Sequence, residues 1–391
     1  MAFSQRLPAE HYRAVQARVR ERAIQAGLDA LLLDDPEDVA YLTGFFHFPC
    51  ERPVAVWLCG TGATVVLVPE LEREHAEDQQ TVADLVASPE YPGVVGPFEA
   101  LAAAVPAVER VGHAASMSVG RLRQAQAGFP GVTFLETDVV DLARRRKGPA
   151  ELALHEEAAR ISDAMLVAGR HLVEEAVAAG GALPTEAELA AHVTSYGTST
   201  MYGEHEAVVV VSPLAGGLVY AGPNSARPHR LPSASRLRPG DTFMLSLGCA
   251  VGGRYVESER TFVLGDPTPD QRRYYEAVRQ AQQVGGEAIR PGARCADVNR
   301  TCLDVIRDAG LGQHLRHRQG HGIGLGMHEP PWLEDGDASV LEPGMIVSNE
   351  PGIYVDGHAG YRMSDSVLVT DEGARPLTSY PRALDDVVIA L

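Results

Sequence analysis

Apolar and polar residues follow two different rhythms along this chain. Residues 8–27 mix charged and apolar side chains at helical spacing, and Ala30–Leu33 is a short apolar run between aspartates that suits a buried strand. Pro36 is placed to open a second helix, at a first turn where its missing N–H does no harm. Pro53–Leu58 and Thr64–Val68 read as strands joined by the turn Gly60-Thr61-Gly62. Helical and strand-like segments alternate up to about Asp141, which predicts a small α/β domain with a mixed sheet. Arg144–Lys147 followed by Gly148-Pro149 marks a junction, dividing the chain into residues 1–147 and 148–391. The four basic residues there read as a solvated helix end, favoured by the helix dipole.

Beyond the junction, Glu151–Ala179 and Pro184–Ser195 carry helical periodicity, and Ala207–Val211 looks like a strand. Asp241–Gly248 and Arg254–Leu264 suit a hairpin around Gly252-Gly253. Helices are predicted at Asp270–Ile289 and Ala296–Ala309, and strands at Met345–Asn349 and Ser364–Val369.

With 391 residues, the chain can bury two cores. A net charge of −18 argues against nucleic-acid and anionic-membrane partners. Five cysteines without a C-x-x-C pair favour reduced thiols. The amino-terminal residues lack a signal pattern, and no apolar run approaches the ~20 residues of a membrane span, so the expected location is the cytoplasm.

The stretch with the most chemistry is Arg318–Pro331, RQGHGIGLGMHEPP. His321 and His328 stand seven residues apart among glycines, each of which costs about 1 kcal/mol in a helix. A loop that holds two imidazoles so bare of other side chains suits ligands or proton carriers. Glu257 and Glu259 lie two apart on a predicted strand, so both project from one face. Taken alone they fit an exposed face, paired to Arg254 or Arg260. Glu350 precedes a proline–glycine turn, Arg362 and Asp365 suit an ion pair between strands, and His229 sits in a proline-flanked loop. The case for a site is their gathering at turns and strand ends.

The segments GPNSARPH, GDTFMLSLG, ERTFVLG, GHGIGLGMHEPP, LEPGMIVSNEPGIY and GYRMSDSVLVT resemble the pita-bread family of methionine aminopeptidases, Xaa-Pro peptidases and creatinase. The resemblance implies an α/β (α+β) chain, with a creatinase-like N-terminal α/β domain and a C-terminal pita-bread domain. It also implies a homodimer in which the partner's N-terminal domain would border the pocket. The family's peptidases hold two metals on two aspartates, a histidine and two glutamates. By position these fall on Ser246, Glu257, His321, Glu350 and Ser364, so two carboxylate ligands are serines. Creatinase, a metal-free member, places its catalytic glutamate on Glu259 and its catalytic histidine on His229. Its glutamate near the later turn falls on Glu350, its other pocket histidines on His321 and His328, and a carboxylate-binding arginine on Arg52.

Three functions therefore compete. The first is hydrolysis of a C–N bond in a small polar metabolite without a dinuclear metal centre. Glu259 and Glu350 would then bind a cationic group, His229 would move protons, and Arg52 would anchor a carboxylate. The second is an Xaa-Pro dipeptidase with one metal on Glu257, His321 and Glu350, and with His229, His328 and Arg362 around the substrate. The third is an inactive binding protein. The expectation is no cofactor, with one divalent metal (Mn, Zn or Fe) as the alternative. The partners expected are a small molecule or dipeptide and a second copy of the chain.

Overall fold

The computed structural model describes residues 3–391, which form two compact units. The smaller comprises Arg6–Arg144 with Val209–Val211. Its six strands lie in the order Asp84–Ser88, Thr64–Pro69, Ala55–Cys59, Ala30–Leu33, Arg110–His113, Thr133–Glu136. The pairs Ala30–Leu33 with Ala55–Cys59 and Ala55–Cys59 with Thr64–Pro69 are antiparallel and the rest parallel, so the sheet is mixed. Every residue of Ala30–Leu33, Ala55–Cys59 and Thr64–Pro69 is buried, as their largely apolar runs require.

The larger unit is built on a nine-stranded sheet. Its main path runs Glu329–Leu333, Gly320–Gly322, Ile346–Asn349, Ser364–Val369, Arg254–Leu264, Thr242–Val251, Ala215–Ala221. The helix Pro149–Ala178 packs along the Thr242–Val251 and Arg254–Leu264 hairpin. Pro149 and the Glu151 carboxylate, which reaches back 3.1 Å to the Gly148 N–H, start that helix. Among the described residues no helix is long and apolar enough to cross a membrane, and all five cysteines are free.

Two local expectations are corrected. Ala207–Val211 is not a strand: pairing ends at His205–Glu206, because Ala207 takes a φ of 49° that no ladder accommodates. The basic cluster at the junction is exposed to solvent only at Arg146. Arg144 is buried against Glu37 and Asp38, and Lys147, the chain's only lysine, is buried 2.6 Å from Glu329.

His155 projects from the same helix into the core of the larger unit. Its Nδ1 donates to the Tyr255 carbonyl at 2.8 Å, and its Nε2 is buried without a partner. Burial, with nearby Lys147 adding to it, lowers its pKa from 6.5 to about 3. Below pH 6.5 the unfolded chain therefore binds a proton that the folded chain refuses. Stability is lost as pH falls from 6.5 toward 3, at up to about 1.4 kcal/mol per pH unit from this group. Urea denaturation between pH 6.5 and 4.5 should show a shallower decline in His155→Gln than in the wild type. Equal slopes would remove His155 as a source of acid sensitivity.

Candidate active site

The hairpin register builds the site. Ser246 lies opposite Glu259 and Gly248 opposite Glu257, while Ser364 lies opposite Glu259 on the other side. One face of three neighbouring strands thus presents Ser246, Glu257, Glu259 and Ser364 together. The glycine loop begins as the strand Gly320–Gly322, paired in the sheet, and bends through 323–328 to bring His328 beside His321. A Cβ on Gly320 would stand 2.1 Å from the Ser348 carbonyl oxygen, so only glycine lets these strands approach. A bulge between His321 and Gly322 then aims the imidazole inward. The result is a cavity of about 580 Å³ lined by His229, Ser246, Glu257, Glu259, Arg316, His317, Arg318, His321, His328, Glu350 and Arg362, among others.

His321 is 2% exposed. Its Nδ1 lies 3.0 Å from the Gly322 carbonyl, which can only accept, so Nδ1 carries the hydrogen. In the neutral ring Nε2 then turns a lone pair toward the carboxylates of Glu350 and Glu257, at 3.1 and 3.6 Å. Nε2 is buried and makes no hydrogen bond of good geometry. Three electron-rich groups facing one point need a proton or a cation between them. Donor atoms of Glu257, His321 and His328 also lie within 4.8 Å of one another. The His328 ring sits 3.9 Å, centroid to centroid, from that of His321.

Protonation follows from this crowding. Burial opposes charge on His321, but Glu257 and Glu350 outweigh it and raise the imidazole to about 9. Burial lifts Glu257 to about 8, with Glu350 adding to the effect. Burial would lift Glu350 too, but the adjacent His321, 3.1 Å away and cationic, holds it down to about 2. Partial burial and then the cationic His321 depress His328 to about 4.

The second cluster in the cavity is an ion pair. Arg362 is held on Glu259 by both Nε and Nη2. It also donates to the Tyr354 hydroxyl at 3.1 Å, the Tyr220 hydroxyl at 3.0 Å and Ser246 Oγ at 2.8 Å. Ser246 donates its own hydrogen to Glu259, and Ser364 Oγ donates to Glu257 at 2.6 Å. Glu259, expected to receive a cationic group of a substrate, therefore already receives one from the chain. Neither Glu257 nor Glu259 pairs with Arg254 or Arg260. Arg254 meets Glu151 at 3.1 Å and Arg260 meets Asp365 at 2.9 Å, so Asp365 is not the partner of Arg362 either.

Of the sequence-predicted residues, His229, Glu257, Glu259, His321, His328, Glu350, Arg362 and Ser246 line this cavity. His229 is exposed and holds a φ of 61°, rare for a residue with a side chain. Arg52 belongs to the smaller unit, where it pairs with Glu51 and Glu90, and it is not among the lining residues. Sequence reasoning missed Tyr220, Tyr354, His317 and Arg316. The tyrosines look like core positions of strands, and only their hydroxyls betray a role. His317 precedes the glycine loop by one residue and meets the Tyr354 hydroxyl at 2.9 Å.

Residues 153–371 match metallopeptidase family M24, and residues 16–145 match the creatinase/prolidase N-terminal domain. A probable dipeptidase PepE of Mycobacterium tuberculosis is 33% identical over 390 residues, covering 97% of this chain and 98% of that protein. The crystal structure of dipeptidase PepE from Mycobacterium ulcerans superposes with a TM-score of 0.85 at 30% identity, covering 99% of this chain and 100% of that one. An Xaa-Pro dipeptidase from Bacillus anthracis gives a TM-score of 0.82 at 25% identity, covering 96% and 99%.

The metallopeptidase match overturns the expectation of a site without a cofactor. The convergence of the Glu257 and Glu350 carboxylates on the buried Nε2 of His321 agrees with that correction, because carboxylate and imidazole donors suit Mn, Zn or Fe. The serines had weighed too heavily, since three side-chain donors suffice for a catalytic ion. On the match across both of its parts, the chain belongs to metallopeptidase family M24, preceded by a creatinase/prolidase-type N-terminal domain.

Proposed function

We propose that this protein is a metal-dependent dipeptidase, with Xaa-Pro dipeptides as its first candidate substrates. The observation that carries the reading is the buried Nε2 of His321 facing the carboxylates of Glu350 and Glu257, at 3.1 and 3.6 Å, inside a cavity of about 580 Å³. That volume falls in the range of small-ligand sites. The names of the relatives, dipeptidase and Xaa-Pro dipeptidase, supply the substrate class. The free cysteines suit a cytoplasmic setting, and a homodimer is the assembly proposed.

A divalent ion held by Glu257, His321 and Glu350 would polarise the scissile carbonyl and acidify a water. His328 is kept neutral and open to the cavity, so its ring can accept a proton from water and return it to the leaving nitrogen. His229 lines the same cavity and offers a second imidazole for that transfer. Of the lining arginines, Arg362 is locked on Glu259 and Arg318 pairs with Glu334 at 2.7 Å. Arg316 donates to the backbone carbonyls of Gln313 and Leu315 and is exposed, which leaves it suited to a substrate carboxylate.

Ala-Pro and Leu-Pro should be cleaved by the protein loaded with Mn²⁺, Zn²⁺ or Fe²⁺, with activity lost on chelation and restored by the ion. Glu350→Gln should lower kcat/KM by more than about 100-fold, because it removes a ligand. Undiminished turnover after complete metal removal would defeat the reading. No cleavage of any dipeptide in excess metal would leave the binding-protein alternative.

Arg316→Ala should raise KM for dipeptides roughly tenfold with little change in kcat, the signature of lost ground-state binding. An unchanged KM would assign the carboxylate to another group.

Metal binding must displace protons from His321 and Glu257, which hold them up to about pH 9 and 8. Apparent affinity for Mn²⁺ should therefore tighten as pH rises from 6 to 8, with proton release visible when calorimetry is repeated in buffers of different ionisation enthalpy. A pH-independent affinity would show that these groups are not the ligands.

A further inference from the structure

The resemblance to two-metal peptidases raises the question of what stands where a second ion would be. The two ligand positions that became serine are both occupied by hydrogen bonding. Ser246 gives its hydrogen to Glu259 and receives one from Arg362 at 2.8 Å, so its lone pairs face a guanidinium. Ser364 gives its hydrogen to Glu257 at 2.6 Å, which ties up one of that carboxylate's two oxygens. Glu259, the carboxylate nearest both serines in register, is bound by two nitrogens of Arg362.

Charge leads to the same place. The cavity's inner wall carries three carboxylates, Glu257, Glu259 and Glu350, and one guanidinium, Arg362. Glu259 and Arg362 neutralise each other at 5% and 4% side-chain exposure. Two negative charges remain, on Glu257 and Glu350, which one divalent ion balances. A second would leave two uncompensated positive charges beside a buried guanidinium, which burial disfavours.

We propose that this chain holds a single divalent ion, on Glu257, His321 and Glu350, and that the Glu259–Arg362 pair, braced by Ser246, fills the place of a second. The inference rests on the metal-dependent reading above, but concerns ion number, not turnover. Arg362 acts here as a positioning residue, holding Glu259 and Ser246 away from any ion.

The test is a count. Metal-free protein is titrated with Mn²⁺ alone by calorimetry, bound manganese is measured per chain by elemental analysis, and the saturated sample is examined by electron paramagnetic resonance. The expected result is one Mn²⁺ per chain and an uncoupled spectrum even at excess ion. Two ions per chain, or the spectrum of an exchange-coupled pair, would overturn the proposal while leaving dipeptidase activity intact. One ion without dipeptide cleavage would instead support the count and defeat the substrate assignment, and no bound ion would overturn both. The triple variant Ser246→Asp, Glu259→Thr, Ser364→Glu restores two carboxylates and releases Arg362. It should take up a second Mn²⁺, and a folded variant, judged by its circular dichroism, that still binds one would count against the role given to Glu259. Should it fail to fold, the wild-type count decides alone.

Discussion

One strand carries four charged side chains into the interior, and each has to be compensated there. Along Arg254–Leu264 the pleat sends Arg254 and Arg260 to one face and Glu257 and Glu259 to the other. Arg254 meets Glu151, Arg260 meets Asp365, and Glu259 meets Arg362. Glu257 alone has no arginine or lysine among the described residues; it has a serine hydroxyl and the imidazole of His321. A buried carboxylate in that position either takes up a proton or takes part in holding a cation. The functional reading follows from this one unmet charge.

The three compensated charges also hold the sheet in register. Asp365, fully buried, accepts from Arg260, Arg382, Gln282 and Thr378, fixing Ser364–Val369 against the central strand. That register sets Ser364 beside Glu257 and keeps the Ile346–Asn349 strand in line, so that Glu350 emerges at its end toward His321. Removing one partner of such a pair leaves an unmatched buried charge, which costs about 3–5 kcal/mol. The site is thus positioned by ion pairs that take no part in its chemistry.

Much of this was legible in the sequence. Most helices and several strands lay within a few residues of their expected bounds, because long periodic segments are local signals, but the helix expected at Pro184–Ser195 runs Glu186–Glu204 and Ala207–Val211 is no strand. The two-residue spacing of Glu257 and Glu259 correctly placed both on one face. What the sequence misjudged were partnerships between distant residues. Lys147 looked solvated because no local feature reveals that Glu329, far along the chain, waits for it. Arg362 looked like a substrate anchor, and Glu259 like a substrate's counter-ion, because neither pattern shows that they belong to each other. The serines at Ser246 and Ser364 argued against a metal when ligands were counted one by one. The buried Nε2 of His321 becomes visible only when three strands and a bulge are assembled.

Crystals soaked in Mn²⁺ and measured at the manganese absorption edge address the central claim directly. One anomalous peak bounded by Glu257, His321 and Glu350, with Arg362 still on Glu259, is the predicted result. A peak beside Ser246 and Ser364, or none in the cavity, would contradict the account.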